Sequence, residues 1–108
     1  MELVRFDPAK AAPLPGGANA TYVPVRSGDR MTAMLLQLDR KGDTGKREVG
    51  TDVVLVVISG EARLRSGGEI ADIKPGDVCV LPGGILHHIW TADSRLQAVM
   101  VALGGGGV

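Results

Sequence analysis

The chain has 108 residues, with twelve Lys plus Arg balanced by twelve Asp plus Glu, 44% hydrophobic residues, one cysteine and three aromatics, Phe6, Tyr22 and Trp90. That length makes one domain rather than two. The balanced charge removes the field that would draw the chain to nucleic acid or anionic lipid, the few aromatics rule against a base-stacking platform, and the lone Cys79 excludes an internal disulfide.

The first eight residues, Met-Glu-Leu-Val-Arg-Phe-Asp-Pro, carry charges where an export signal needs an apolar run. No stretch approaches about 18 uninterrupted apolar residues, the length of a membrane span. A cytoplasmic protein with no membrane and no nucleic-acid partner is expected. Pro8, Pro13, Pro15, Gly16 and Gly17 make residues 1–20 an irregular N-terminal arm, with one turn of helix at 8–12.

Extended segments then follow at short intervals. Residues 21–26 end at Ser27-Gly28-Asp29. Residues 31–38 are closed by a polar loop over 39–45, and 46–49 form a short extended piece. Residues 51–59 are strongly β-branched and turn at Ser59-Gly60. Glu61 to Arg65 alternates polar and apolar, so one face is wet and one buried. Ser66-Gly67-Gly68 turns into 69–73. Lys74-Pro75-Gly76-Asp77 has proline second and glycine third, the signature of a type II turn. Cys79 sits between Val78 and Val80 and reads as a small buried hydrophobe rather than a reactive thiol. Residues 87–92 and 96–103 complete the set, and the glycines from 104 make a flexible tail to residue 108. No helical period of useful length appears. Many short strands with turn signals roughly every 8–12 residues predict an all-β sandwich or barrel over residues 21–103.

The most specific string is Gly76-Asp-Val-Cys-Val-Leu-Pro82-Gly-Gly84-Ile-Leu-His87. Pro82 stops a strand ladder because it has no N–H to donate. Gly83 and Gly84 allow a tight reversal with positive φ, after which an extended segment re-enters with a histidine at its mouth. This spacing resembles the second conserved motif of the cupin superfamily, with His87 at the position of that motif's metal ligand. The resemblance sharpens the fold to a double-stranded β-helix, the jelly-roll cupin barrel, and implies a homodimer packed through a sheet.

The family's first motif has two histidines one residue apart, a glutamate three or four residues on, then a glycine. Here Gly60 holds the glycine place, and the glutamate place falls on Val53, or on Asp52 with a one-residue slip. The histidine places fall on Lys46 and Glu48, or with other slips on Arg47 and Val49. The asparagine that ends the second motif is replaced by Thr91.

One imidazole in register suits a metal-free or metal-poor barrel that encloses a small-molecule ligand, and no cofactor is expected. The pocket residues under this reading are Lys46, Glu48, Val53, Leu55, His87, Ile89 and Thr91. The alternative is a metal-dependent enzyme of the dioxygenase, isomerase or epimerase type, with His87 as catalytic residue and Glu48 as its partner. Glu48, Asp52 and His87 would then hold a divalent transition metal. A third reading is a structural dimer with a vestigial pocket. His87 and His88 are adjacent on a strand and must point to opposite faces. By motif position His87, Ile89 and Thr91 face in, and His88 and Trp90 face out.

Overall fold

The computed structural model describes residues 1–104. A 3-10 turn, Pro8–Lys10, is capped by the Asp7 carboxylate, which accepts from the Ala9 N–H at 3.0 Å. Nine strands follow: β1 (Ala12–Pro13), β2 (Ala18–Ser27), β3 (Met31–Asp43), β4 (Val53–Gly60), β5 (Ala62–Ser66), β6 (Glu69–Ile73), β7 (Val78–Leu81), β8 (His87–Trp90) and β9 (Leu96–Leu103). They form one curled sheet ordered β6-β5-β8-β3-β9-β4-β7, with β2 also paired to β3 and β1 to β2. The predicted all-β architecture is therefore observed.

β3 joins the two parts of the sheet. Its first half pairs with β9 from Met31 opposite Leu103 to Leu38 opposite Leu96, while Asp43 at its far end lies opposite Trp90 of β8. Residues 39–43, expected as a polar loop, thus continue the strand. Their backbone is taken up by β8 and its flank: Lys41 N–H donates to Ala92 O, and Thr91 N–H to Gly42 O. Two buried threonines reinforce the seam. Thr44 Oγ1 accepts from the Ile89 N–H at 3.1 Å, and Thr91 Oγ1 accepts from the Gly42 N–H at 2.8 Å.

The N-terminal arm is more ordered than its prolines and glycines suggest. β1 and β2 make a small hairpin in which Ala12 lies opposite Tyr22. Leu14 is buried against the core and donates its N–H to Ala20 O. Of the expected glycine tail, Gly104 donates to Arg30 O, and the remainder lies outside the described residues.

Strict alternation fills the hollow. Leu36, Leu38, Leu55, Val53, Val57, Ile89, Leu96 and Met100 are all essentially inaccessible and form one apolar cluster. Two turns depend on glycine. Gly76 has φ +90° in the predicted type II turn, closed by Asp77 N–H to Lys74 O at 3.1 Å. Gly60 has φ +78°, and a Cβ there would collide with the Arg95 carbonyl. In the Pro82 reversal only Gly84 takes a positive φ. Gly83 is needed for closeness, because a Cβ would meet the Thr51 backbone at 2.8 Å.

Candidate functional site

The site is built where the segment after β3 runs antiparallel to β8. Arg47 and His87 exchange both backbone hydrogen bonds, at 2.9 and 2.8 Å. Residues paired in this way lie directly opposite and present their side chains on one face, with Cα atoms about 5.5 Å apart. That face is the inner one: His87 is 2% exposed, Ile89 fully buried and Val49 buried. His87 Nε2 is enclosed and has no hydrogen-bond partner among the described residues. Burial, and then the nearby Arg47 charge, hold the imidazole below its ordinary pKa, so it is neutral at physiological pH.

Arg47 is half-buried. Burial pushes its guanidinium below the usual arginine range, with Tyr22 acting in the opposite direction, and it remains a cation. Its Nη1 donates to Pro15 O at 2.7 Å and to Thr44 O at 3.4 Å, which ties the guanidinium between the N-terminal hairpin and the end of β3. The side chain forms part of the wall of a cavity of about 220 Å³ whose apolar lining includes Leu14, Tyr22, Pro24 and Met34.

The expected site residues fall into three groups. Val53, Leu55, Ile89, Thr91 and His87 are buried, the first three within the apolar core. Lys46 and Glu48 are exposed, being of opposite parity to Arg47. Asp52 is exposed too, and its carboxylate accepts from the Gly83 N–H at 2.8 Å, where it fastens the Pro82 reversal. Glu48, Asp52 and His87 are therefore not brought together. Among the described residues no group of three or more His, Cys, Asp or Glu side chains could hold a metal ion. The donors on the inner face do not fit one: there is a single imidazole, and the side chain opposite it is a cation.

His88 occupies the other face of β8. Its Nε2 lies 2.6 Å from Asp43 Oδ1, and its ring packs on Trp90 with centroids 4.8 Å apart. Cys79 is half-buried beside the core, and burial, then Asp77, raise its thiol pKa, which suits packing rather than nucleophilic chemistry. Arg47 is the residue that sequence reasoning left as one register choice among several. The signal that could have found it is Val49, the buried apolar residue two positions on, since one face of a strand takes alternate residues.

A curled antiparallel sheet with a histidine from the Pro-Gly-Gly reversal pointing into its hollow defines a cupin. A family model for the AraC-like ligand binding domain matches residues 43–106, more than half of the chain, and the protein belongs to that family. Solved structures agree on the fold. A cupin-like protein from Thermotoga maritima superposes with a TM-score of 0.81 at 14% identity, over 91% of this chain and 79% of that one. The polyketide cyclase RemF from Streptomyces resistomycificus gives 0.78 at 19% identity, over 94% and 80%. A predicted oxalate decarboxylase from Thermotoga maritima gives 0.77 at 19% identity, over 87% and 90%. Among curated proteins none matches the chain. No helix among the described residues is long and apolar enough to cross a membrane.

Proposed function

We propose that this chain is a binding protein for a small molecule, which enters the cavity between the N-terminal hairpin and the inner face of β3, and that it does so without a metal. One observation carries the reading: a cavity of about 220 Å³ with a largely apolar wall and a single half-buried guanidinium, Arg47, set in it. The membership in a ligand-binding family points the same way. The enzyme reading needs Glu48 beside His87, whereas Glu48 is exposed on the opposite parity.

The test is ligand-observed NMR of the chain with a mixed set of neutral, cationic and anionic small metabolites. At least one class should show saturation transfer, and Pro24→Trp, which fills the cavity from its exposed rim, should abolish it. A set without a single binder, or binders indifferent to Pro24→Trp, would sink the reading.

The same proposal includes a homodimer. The outer face of the large sheet carries two apolar rows: Val78, Val56, Val99, Leu35 and Val23 in one, and Val80, Val54 and Val101 in the next, which continues through Ala33 to Arg26 at the β2 edge. Val78 and Val80, on the end strand β7, are 63% and 62% exposed. A mostly apolar, β-branched face on a chain of zero net charge suits a second copy of itself. Sedimentation should give a dimer, and Val80→Glu a monomer. A wild-type monomer at 100 µM would remove this part of the reading.

A further inference from the structure

We propose that the outer face of β5 and β8 carries a site of its own, for a doubly charged phosphate group, with Lys46 and Arg65 as its two cations. It shares no lining residue with the cavity of the binding reading and does not depend on that reading. The site is a cavity of about 200 Å³ lined by Lys46, Arg65, Gly67, Leu86, His87 and His88. Three basic side chains fall in one row across three neighbouring segments. Arg65 lies opposite His88 in the β5–β8 ladder, and the antiparallel bridge of Arg47 to His87 sets Lys46 opposite His88 from the other side. No acidic residue belongs to the lining among the described residues.

The charge of this row is not balanced from within the protein. Arg26, Arg63 and Arg95 each reach a carboxylate, at 2.8, 3.1 and 2.8 Å. Arg65 sits two residues from Arg63 on the same face of β5, but its partner position on β6 is Ile70, where Arg63 has Asp72. Neither Arg65 nor Lys46 forms an ion pair among the described residues, and Glu48, of the same parity as Lys46, makes none with it. His88 already has a partner in Asp43 Oδ1 at 2.6 Å, an oxygen that also accepts from the Gly45 N–H. Two positive charges therefore remain around one cavity. Like charges in a cross-strand row repel, and an anion between them removes that repulsion.

The donors suit phosphate. Arg65 Nε donates to Gly67 O at 3.2 Å, which holds the guanidinium against the turn between β5 and β6. Its two Nη groups have no hydrogen-bond partner among the described residues, and they form a planar edge that meets two oxygens of a phosphate. Lys46 adds a compact point charge. A phosphate monoester carries about −1.5 to −2 charge at neutral pH, which matches two cations, whereas a monocarboxylate leaves one of them unbalanced. A cavity of about 200 Å³ lies below the roughly 300–1,000 Å³ of drug-sized pockets, so it takes the phosphate group and a short stem rather than a large organic body. Free phosphate and the end of a small phosphorylated metabolite share this chemistry.

The experiment is an amide-resolved NMR titration of the full chain at low salt with inorganic phosphate, glycerol 3-phosphate, acetate and glycerol. Both phosphates should give saturable shifts centred on Gly67 and His88. Acetate should bind about tenfold or more weakly, because it meets the same cations with half the charge. Added salt should weaken phosphate binding. Lys46→Gln and Arg65→Gln should each weaken it about fivefold or more, while Arg63→Gln, next along the strand and outside the lining, should leave it unchanged. All three side chains are exposed, so these variants keep the fold. Tighter binding of glycerol 3-phosphate would support the organic source of the group, and tighter binding of inorganic phosphate the free ion. Absence of saturable shifts with both phosphates, acetate bound as tightly as phosphate, or binding unchanged in Lys46→Gln and Arg65→Gln would each overturn the assignment. Pro24→Trp, which fills the other cavity, should leave phosphate binding intact, and its loss there would overturn the placement.

Discussion

Strand β8 turns His87 inward and His88 outward, and the two neighbouring imidazoles have different surroundings. His87 is 2% exposed, sits among Ile89 and the core, and has an Nε2 with no hydrogen-bond partner among the described residues. The His88 side chain is 23% exposed, bonds Asp43 at 2.6 Å and packs on Trp90. The outer histidine is satisfied by its own protein, so its surroundings are a structural arrangement that is already complete. The inner one carries an unmet cost that the fold tolerates, and the proposed function rests on the inner side of the strand for that reason. Parity alone, a one-residue step along the chain, produces it.

The largest effect should come from the inner face itself. Ile89→Ala should lose about 2–5 kcal/mol in urea unfolding, because a fully buried branched side chain leaves a cavity. Trp90→Ala, on the half-exposed outer face, should lose clearly less, and equal losses would break the comparison. Next comes His87→Leu, which removes the unmet nitrogen at similar volume. It should leave stability unchanged or raise it by about 1–2 kcal/mol, while any ligand contact to the imidazole is lost. A large destabilisation would mean that the nitrogen has a structural partner.

His87 also sets a pH dependence. Its folded pKa is lowered, so between that value and about 6.5 the unfolded chain binds the extra proton. The stability tied to neutral His87 is full above about 6.5 and is lost as pH falls through the folded value. Between pH 7 and 5 the wild type should therefore lose more stability than His87→Leu, and identical pH profiles would contradict the assignment. The smallest effect belongs to the outer face. His88→Ala should cost about 0.5–1.5 kcal/mol, the usual net worth of one side-chain hydrogen bond, measured by urea unfolding.

Much of the fold was legible because local signals agree with the final structure. The β-branched run around Val53 to Val57, the Pro75-Gly76 turn and the Pro82 stop all do locally what the sheet needs. The continuation of β3 through Asp39 to Asp43 was not legible. Those residues are polar, and only their backbone pairing with the flank of β8, nearly fifty residues away in sequence, makes them strand. The site was half legible for a related reason. His87 is announced by its turn, whereas Arg47 versus Lys46 and Glu48 is a question of register. Register is set by the cross-strand partner, which a stretch with glycine at both ends does not declare.

The carbonyl of Pro15 that orients Arg47, together with Leu14 and Pro15 in the cavity wall, belongs to a hairpin of which one strand is only two residues long. That end of the molecule is thus shaped by a short segment whose Leu14 also plugs the core, so only its exposed residues are open to change without disturbing the core strands. Homologous chains could reshape the cavity under the binding reading by editing exposed leading residues other than the core-bound Leu14 and Ala20, and an affinity tag fused at that end could do the same.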